Sequence, residues 1–389
     1  MNAAPLTTMD TATEERAQQM RMLRESAVDF VAGHIDTKKL RGRRGMLPGY
    51  DLAVCRQAAE LGWFGILLPE AQGGLGLGIS EMAVIAEELG KGLLADPVVA
   101  TAFAARLLQH GANEALNERL LPSVADGSRL PCVAWQEGVG GVDPSAIATA
   151  ARADGDGFVL DGTKRFVAGA AGARGFVVTA RTADGLGLFW VDADAQGVSV
   201  RHEWRADETP AGVVELGGVR AAASDVVAAP GDAALSAFQR AFDEAAVLAA
   251  GEMLGVAEAA LAMALAYMRT RVQFGKPIGS FQALQHKAAD LYVQQELMRA
   301  VLDEAVRKLD DGVSDDERVQ VASRCKARAS DAGLRITREV IQLHGAIGFT
   351  DEYDAGLYLK RALVLSGWLG NASAHRRRFA ASRRAAAAV

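Results

Sequence analysis

The spacing of apolar residues changes twice along this chain of 389 residues. In the first third, residues such as Met82, Ile85 and Leu89 recur at the three- and four-residue intervals of a helix. Beyond about Leu130, short runs of Val and Phe separated by Gly and Asp replace that pattern, which indicates strands. From Ala233 onward the helical spacing returns. The chain must therefore fold as helices, then a sheet, then helices.

This order predicts an α+β fold with three domains. The strands have no long helical stretches between them to serve as crossovers, so we expect an antiparallel β-barrel in the middle. The later apolar spacing predicts a four-helix bundle with long helices near Ala233–Thr270, Phe281–Leu309 and Asp316–Leu343. The expected domains are helical over 1–128, β over 129–232, and a helical bundle with the oligomer interface over 233–389.

Charge and cysteine content exclude several classes of protein. There are 42 Lys and Arg against 48 Asp and Glu, a net charge of -6 that gives no overall attraction to nucleic acid. Cys55, Cys132 and Cys325 are odd in number and widely spaced, which favours neither disulfides nor a metal site. The longest apolar run, Ala259–Met268, is too short to span a bilayer. We expect a soluble cytoplasmic protein without a membrane, nucleic-acid or metal partner.

A glycine-rich stretch, Gly73–Gly78, is similar to a phosphate-binding loop. No predicted strand leads into it, and a dinucleotide fingerprint requires a strand, a tight turn and then a helix. We interpret the stretch as a connector before a helix that Ser80 caps.

The segment between the first two long helices, Arg269–Gln282, is rich in polar side chains. Arg271 offers a charged fork that matches phosphate oxygens, and Gln273 and Gln282 can donate and accept hydrogen bonds beside it. Taken alone, the segment is equally compatible with an anion site and with a capped turn between helices.

A second segment, Gln342–Tyr353, ends a later helix. Gly345 and Gly348 allow backbone amides to approach a ligand, although glycine also ends helices routinely. For His344 we favour a hydrogen bond at the helix end over a catalytic role.

With these two segments and the domain order, the chain resembles the acyl-CoA dehydrogenase family over nearly its full length. The pairing of Arg271–Gly275 with Gln342–Gly345 carries the resemblance. It is most similar to small subunits of heteromeric members, the group of the pimeloyl-CoA dehydrogenase small subunit, through Gln342–Glu352 and Leu359–Arg361. The resemblance implies an FAD-dependent oxidation of acyl-CoA to 2-enoyl-CoA, with FAD at an interface between subunits.

The resemblance also implies which residues hold the cofactor. They would form a clamp that one subunit lends to its neighbour. Arg271 would meet the FAD pyrophosphate, surrounded by Gln273, Phe274, Phe281 and Gln282. The adenine side would be lined by Gln342, Leu343, Gly345 and Ala346.

The chain departs from the family pattern where the catalytic base belongs. The family's Glu-Gly pair corresponds to Leu369–Gly370, and leucine cannot accept a proton. An alternative base position falls on Ala245. The adjacent Glu244 would serve only if the helix were shifted, and otherwise we expect a solvated or helix N-terminal carboxylate. No catalytic residue is therefore assigned.

The part of the pattern that holds the flavin ring is altered as well. By the resemblance, Gln136, Phe166 and Ala168 stand where the family has hydroxyl and indole groups, and Ala246 stands where it has an arginine. Base, ring contacts and substrate contacts are lost together, while the clamp remains.

This pattern of loss predicts the non-catalytic half of an α2β2 heterotetramer. Its partners would be a homologous catalytic acyl-CoA dehydrogenase subunit, the acyl-CoA substrate of the complex, and an electron-transfer flavoprotein as electron acceptor. Two alternatives stay open at this point: a self-sufficient homotetramer that uses Glu244 or another base, and a flavin-free structural subunit. A flavin oxidase or monooxygenase on the same fold is disfavoured, because it also needs a held ring.

Overall fold

Helices form the first part of the chain in a computed structural model that describes residues 7–94, 97–144 and 146–386. Within these residues the first elements are α1 (Thr7–His34), α2 (Thr37–Gly42), α3 (Leu52–Glu60), α4 (Ile79–Lys91), α5 (Val98–Gly111) and α6 (Glu114–Ala125). The helix predicted near Ser80 is α4, which buries most of its residues.

The central part is one sheet. Its strands are β1 (Cys132–Ala134), β2 (Ala150–Asp154), β3 (Gly157–Ala168), β4 (Gly175–Thr182), β5 (Gly185–Asp192), β6 (Val198–Trp204), β7 (Pro210–Ala221) and β8 (Val226–Ala228). The strand order is β6-β7-β3-β2-β4-β5-β8, with β1 beside β4. This order has two ends, whereas a closed barrel has none.

The sheet is mixed rather than purely antiparallel. Both β1 and β2 run parallel to β4, and the other neighbours are antiparallel. Two parallel neighbouring strands need a long connection between them. The prediction of an antiparallel sheet assumed that only a helix can provide such a connection. Here the β2–β3 hairpin serves as the crossover from β1 to β4. The fold class itself, helices then sheet then helices, is confirmed.

The last part of the chain is again helical. Its elements are α7 (Asp232–Thr270), a small hairpin of β9 (Val272–Gln273) and β10 (Lys276–Pro277), α8 (Gln282–Asp311), α9 (Asp315–His344), α10 (Ala355–Gly367) and α11 (Ala372–Ala386). The three predicted long helices are confirmed as α7, α8 and α9. By length and composition α7 could cross a membrane, but it is mostly buried inside the protein, which identifies it as a core helix.

Helix α7 lies at the centre of the packing and contacts α4 with almost no gap. A Cβ on Gly255 would come within 1.9 Å of the Glu87 carbonyl oxygen, and one on Gly90 within 2.4 Å of the Glu252 carbonyl oxygen. Glycine at these two positions allows the two backbones to touch.

Aromatic rings join the sheet to α7. Trp135 follows β1 directly, and its ring centroid lies 5.8 Å from that of Phe238 and 5.5 Å from that of Phe242. Phe103 of α5 packs edge-on against both α7 rings. Such pairs stabilise beyond their buried area, and here they fix one end of the sheet on the helices.

The N-terminus of α4 is capped from another helix, so the predicted Ser80 cap is wrong. The cap position is Gly78, whose amide donates to the Glu81 carboxylate at 2.9 Å. Asp310 of α8 accepts from the amides of Ile79 at 2.7 Å and Ser80 at 3.2 Å, and from the Ser80 hydroxyl. Sequence reasoning considered only local caps, and this acceptor lies 230 residues away.

We expect Asp310→Ala to destabilise the fold by about 1–2 kcal/mol, because it leaves helix N-terminal amides without an acceptor. The matched control is Asp311→Ala, since Asp311 is exposed at the end of the same helix. Urea unfolding of both variants measures the difference. Equal midpoints would contradict the cap.

Candidate functional site

Topology brings the two segments that carry the family motifs to one end of the helical bundle. Lys287, near the start of α8, pairs with Glu339, near the end of α9. The two helices are therefore antiparallel, and the α9 C-terminus lies beside the α8 N-terminus and the preceding end of α7. The Tyr267 ring of α7 contacts the His344 ring of α9 in a tilted arrangement, with ring centroids 4.7 Å apart. We call this surface, formed by residues 271–282 and 342–346, the clamp surface.

The hairpin of the clamp surface holds a phenylalanine in a strained conformation. Phe274 and Gly275 have φ of 53° and 78°, the geometry of a type I′ turn. Glycine adopts this freely, but a bulky residue there stores strain. The Phe274 side chain is 91% exposed and contacts Phe281 only edge-on, at 6.2 Å between ring centroids. Packing within the chain does not account for this residue.

Most of the predicted cofactor residues are accessible on this surface. Exposed members are Arg271, Gln273, Gln282, Gln342, Gly345 and Ala346, and Phe281 is half-buried beneath the Lys276 ammonium. Leu343 differs, because its side chain is buried in the helical core. Any contact it makes with a ligand here has to come from its backbone.

His344 has a structural role, as the sequence indicated. Its Nδ1 lies 2.7 Å from the Val340 carbonyl oxygen, and its Nε2 lies 3.1 Å from the Tyr353 hydroxyl. Burial lowers the pKa of its imidazole. The ring fastens the end of α9 to the segment that follows.

A second feature is a cleft of about 350 Å³ between the sheet and α10. It brings together the two altered parts of the family pattern, because Gln136 from the loop after β1 and Phe166 from β3 line it together with Gly370 and its neighbours. The other lining residues are Val139, Gly140, Gly141, Arg205, Ala206, Leu363, Val364, Gly367, Trp368 and Asn371. We call it the ring cleft.

A buried ion pair holds the strand side of the ring cleft. Lys164 of β3 is fully buried and donates to the Glu137 carboxylate at 2.6 Å and the Thr179 hydroxyl at 3.0 Å. Burial alone would raise the pKa of Glu137, but the hydrogen bond from Lys164 lowers it to about 2. Glu137 also accepts from the Ala148 and Thr149 amides, so it fastens the loop after β1.

The position of the family base is filled by a buried apolar side chain. Leu369 has no exposed surface and joins the apolar cluster of Phe238 and Phe242. The Leu369 carbonyl oxygen accepts from His375 Nε2 at 2.8 Å. Lys326 Nζ donates to the carbonyl oxygens of Leu365 at 2.9 Å and Gly370 at 3.0 Å. The turn is thus rigidly held and presents no proton acceptor from residue 369.

Glu244 was predicted to be a solvated or helix N-terminal carboxylate unless a shifted helix made it a base, and the first of these predictions is wrong. It lies in the second quarter of α7 and is buried. Arg106 of α5 binds both its oxygens, at 2.7 and 2.8 Å, and His110 Nε2 lies at 2.9 Å. Burial would raise the pKa of Glu244, but the Arg106 hydrogen bonds and charge lower it to about 2. Such a carboxylate is a poor proton acceptor.

Asp243, the other acid next to the alternative base position, is neutralised in the same way. It is fully buried and binds the guanidinium groups of Arg318 and Arg378. In the part of the chain that the structure describes, the ring-cleft lining contains no carboxylate.

Comparison with known proteins identifies the family. Models of the acyl-CoA dehydrogenase N-terminal, middle and C-terminal domains match residues 17–128, 132–217 and 235–383. The chain belongs to the acyl-CoA dehydrogenase family. These are FAD-dependent oxidoreductases that act on CH–CH groups.

Three relatives of this acyl-CoA dehydrogenase family member are informative. Acyl-CoA dehydrogenase IpdE2 of Mycobacterium tuberculosis is 30% identical, over 90% of this chain and 92% of its own length. A variant of the Tcur3481-Tcur3483 steroid ACAD is 36% identical with a TM-score of 0.87, covering 96% of this chain and 99% of its own. A chain of the ChsE4-ChsE5 complex from Mycobacterium tuberculosis is 26% identical with a TM-score of 0.86, covering 94% and 97%.

Sequence reasoning missed several residues of the ring cleft. Trp368 and Asn371 flank the Leu369–Gly370 pair, so their place in the chain could have indicated them. Arg205 and Leu363 carry no local signal, because the β6–β7 connection and α10 bring them to the cleft only in the folded chain.

We expect Glu244→Gln to destabilise the protein at pH 7 by on the order of 3 kcal/mol, because it leaves Arg106 buried beside a neutral partner. The folded-state pKa of Glu244 lies below its unfolded value. Its contribution is therefore present above about pH 4.3 and is lost as the pH falls towards about 2.

Urea unfolding between pH 7 and pH 2.5 tests this, with the exposed Glu118→Gln as control. The difference in free energy of unfolding between wild type and Glu244→Gln should become smaller as the pH falls. The free energy of unfolding of the control should stay within about 0.5 kcal/mol of the wild-type value. A fully stable Glu244→Gln variant with abolished acyl-CoA oxidation would instead identify Glu244 as a base.

Proposed function

We propose that this chain is the non-catalytic subunit of an α2β2 acyl-CoA dehydrogenase. In this proposal it lends its clamp surface to the FAD of a homologous catalytic subunit, which carries the base and binds acyl-CoA. The observation that carries the proposal is the ring cleft: Leu369 is buried, and the described lining has no carboxylate.

The chemistry of the reaction explains why that observation supports the proposal. Oxidation of an acyl-CoA to a 2-enoyl-CoA removes a proton next to the thioester carbonyl, which needs a nearby base of suitable pKa. FAD, when bound, supplies the hydride acceptor. Asp243 and Glu244 are both bound to arginines. Either carboxylate could act as the base only if it rotated away from its arginine, which would break a buried ion pair.

The clamp surface has the chemistry that FAD requires at its pyrophosphate and adenine end. Arg271 is a charged donor for phosphate oxygens, and Gln273, Gln282 and Gln342 offer exposed amides beside it. The α8 N-terminus lies at the same end, and its partial positive charge favours an anion. These residues face solvent and not the ring cleft of their own chain. They are therefore placed to contact the FAD of a neighbouring subunit.

The exposed Phe274 ring of the hairpin also supports contact with a neighbouring subunit. A strained Phe274 side chain that is 91% exposed gains burial only against another molecule. One of the structural relatives is a chain of the ChsE4-ChsE5 complex, which has two named components. An electron-transfer flavoprotein would reoxidise the complex, and a cytoplasmic location agrees with the presence of only three, widely spaced cysteines.

The proposal is tested by flavin stoichiometry and native mass. The chain is purified alone and after co-expression with a homologous acyl-CoA dehydrogenase chain from the same organism that keeps the Glu-Gly pair of the family. We expect a heterotetramer with one flavin per two chains, bleached by acyl-CoA, and a chain that is flavin-free when alone. A homotetramer of this chain with one flavin per subunit that acyl-CoA reduces would overturn the proposal, and a stable complex without flavin would support a structural subunit.

Arg271→Ala should weaken FAD retention by the complex by about 10- to 100-fold, the loss of one charged hydrogen-bond partner. The matched control is Arg269→Ala, an exposed arginine two residues earlier in the last turn of α7. Flavin fluorescence released on dilution measures both. Equal retention in the two variants would remove Arg271 from the clamp.

Phe274→Asn separates folding from binding. Asn-Gly is favoured in type I′ turns, so the isolated chain should be as stable as wild type or gain up to about 1 kcal/mol. The complex should dissociate more readily, because it loses a buried aromatic contact. Thermal unfolding of the isolated chain and native mass of the diluted complex are the two readouts; unchanged assembly would contradict a role of Phe274 at the interface.

A further inference from the structure

We infer that the outer face of α9, through Arg335 and Arg338, docks against acidic side chains of the catalytic partner and thereby favours the heteromeric complex over self-association. This inference rests on the proposed function, since it specifies the chemistry of the partner that the function requires. It concerns a surface outside the ring cleft.

Five charged residues follow one another along the outer face of α9 at intervals of four and three. They are Arg324, Arg328, Asp331, Arg335 and Arg338. This spacing keeps them in one row, which we call the basic row. The next position in the row is Gln342, a residue of the clamp surface. The basic row therefore leads directly to the end of the bundle that we propose to face the partner.

The first three members of the row already have partners within the chain. Arg324 pairs with Glu304 of α8 at 2.6 Å, and Arg328 donates to the Gln294 side chain at 2.9 Å. Asp331 pairs with Arg376 of α11. These contacts fasten α9 to its neighbours and neutralise the one acid of the row.

Arg335 and Arg338 differ from them. Both are exposed, and neither makes a hydrogen bond or ion pair with any residue that the structure describes. On α9 the acids within four residues of Arg335 are Asp331, which is bound to Arg376, and Glu339, which is bound to Lys287. On the adjacent α8 the exposed Asp290 forms no ion pair in the described part of the chain. The end of the row next to the clamp surface therefore has a net positive charge, because its two unpaired arginines outnumber this one unpaired acid.

Apolar side chains lie beside the basic row on the outer face of α8. Val293 and Leu297 are 52% and 46% exposed on a helix whose opposite face is in the core. Gln294 of the same helix binds Arg328, which places the Val293–Leu297 side of α8 next to the row. Tyr292 is also 53% exposed but lies on the other flank of α8, because two residues along a helix turn a side chain by about 200° from Gln294. An apolar centre with arginine at its margin is the composition of a protein interface rather than of free surface.

The charge decides which partner fits. A two-fold pairing of this chain with itself places the same patch on both sides, so two positive surfaces would meet. Such repulsion weakens self-association. A homologous chain with Asp or Glu at the facing positions would instead form attractive contacts, and it would associate faster at low salt. The partner is therefore expected to be acidic where it covers α9.

The test reverses the two charges in this chain as Arg335→Glu/Arg338→Glu, with co-expression of the same homologous chain. The control is Arg383→Glu/Arg384→Glu, which makes the same charge change at exposed positions of α11. We expect the α9 variant to bind the partner at least about tenfold more weakly at low salt, and the control to bind like wild type. Circular dichroism of the isolated chains checks that both remain folded.

A neutral variant, Arg335→Gln/Arg338→Gln, tests the repulsion separately by sedimentation of the isolated chain at low and high salt. We expect wild type to self-associate less at low salt than at high salt, and the neutral variant to lose that dependence. If wild type forms the heterotetramer but the α9 charge reversal assembles as well as the control, this inference fails and the proposed function stands. If wild type forms only a flavin-containing homotetramer, the proposed function fails and the inference with it.

Discussion

The close packing of α4 on α7 is the constraint on which the rest of the structure depends. Gly90 and Gly255 let the two backbones touch, and α7 then contributes residues to two of the three apolar cores among the described residues. Its aromatic rings attach the sheet through Trp135, and its far end carries Arg271. Because one helix runs from the aromatic contact with Trp135 to Arg271, the sheet and the clamp surface are attached to the two ends of a single element.

Buried charge reinforces this arrangement and limits what the chain can catalyse. Asp243 and Glu244, next to the alternative base position, are bound by three arginines from α5, α9 and α11. Their carboxylates tie helices together, and the hydrogen bonds and charge of Arg106 lower the pKa of Glu244 to about 2. Neither acid could take the place of a base at residue 369 without breaking ion pairs that are costly to break.

The clamp surface has the opposite character. Its polar side chains face solvent and Phe274 is strained and exposed, and beside it Arg335 and Arg338 of the basic row have no partner among the described residues. In the interior of the chain the buried acids Asp243 and Glu244 are paired with arginines, whereas this end exposes groups that another subunit could contact.

The sequence alone determined the order of elements, the three long helices and the positions of both motif segments, because helix and strand periods and turn residues are local properties. It also identified Leu369 as a position without a base. Only the tertiary structure decided that Glu244 is bound by Arg106, that Asp310 caps α4, that β1 and β2 run parallel to β4, and that Leu343 faces the core. The physical reason is that each of these depends on which groups meet across long sequence separations. Burial and ion pairing are set by those neighbours, and a residue's own place in the chain does not specify them.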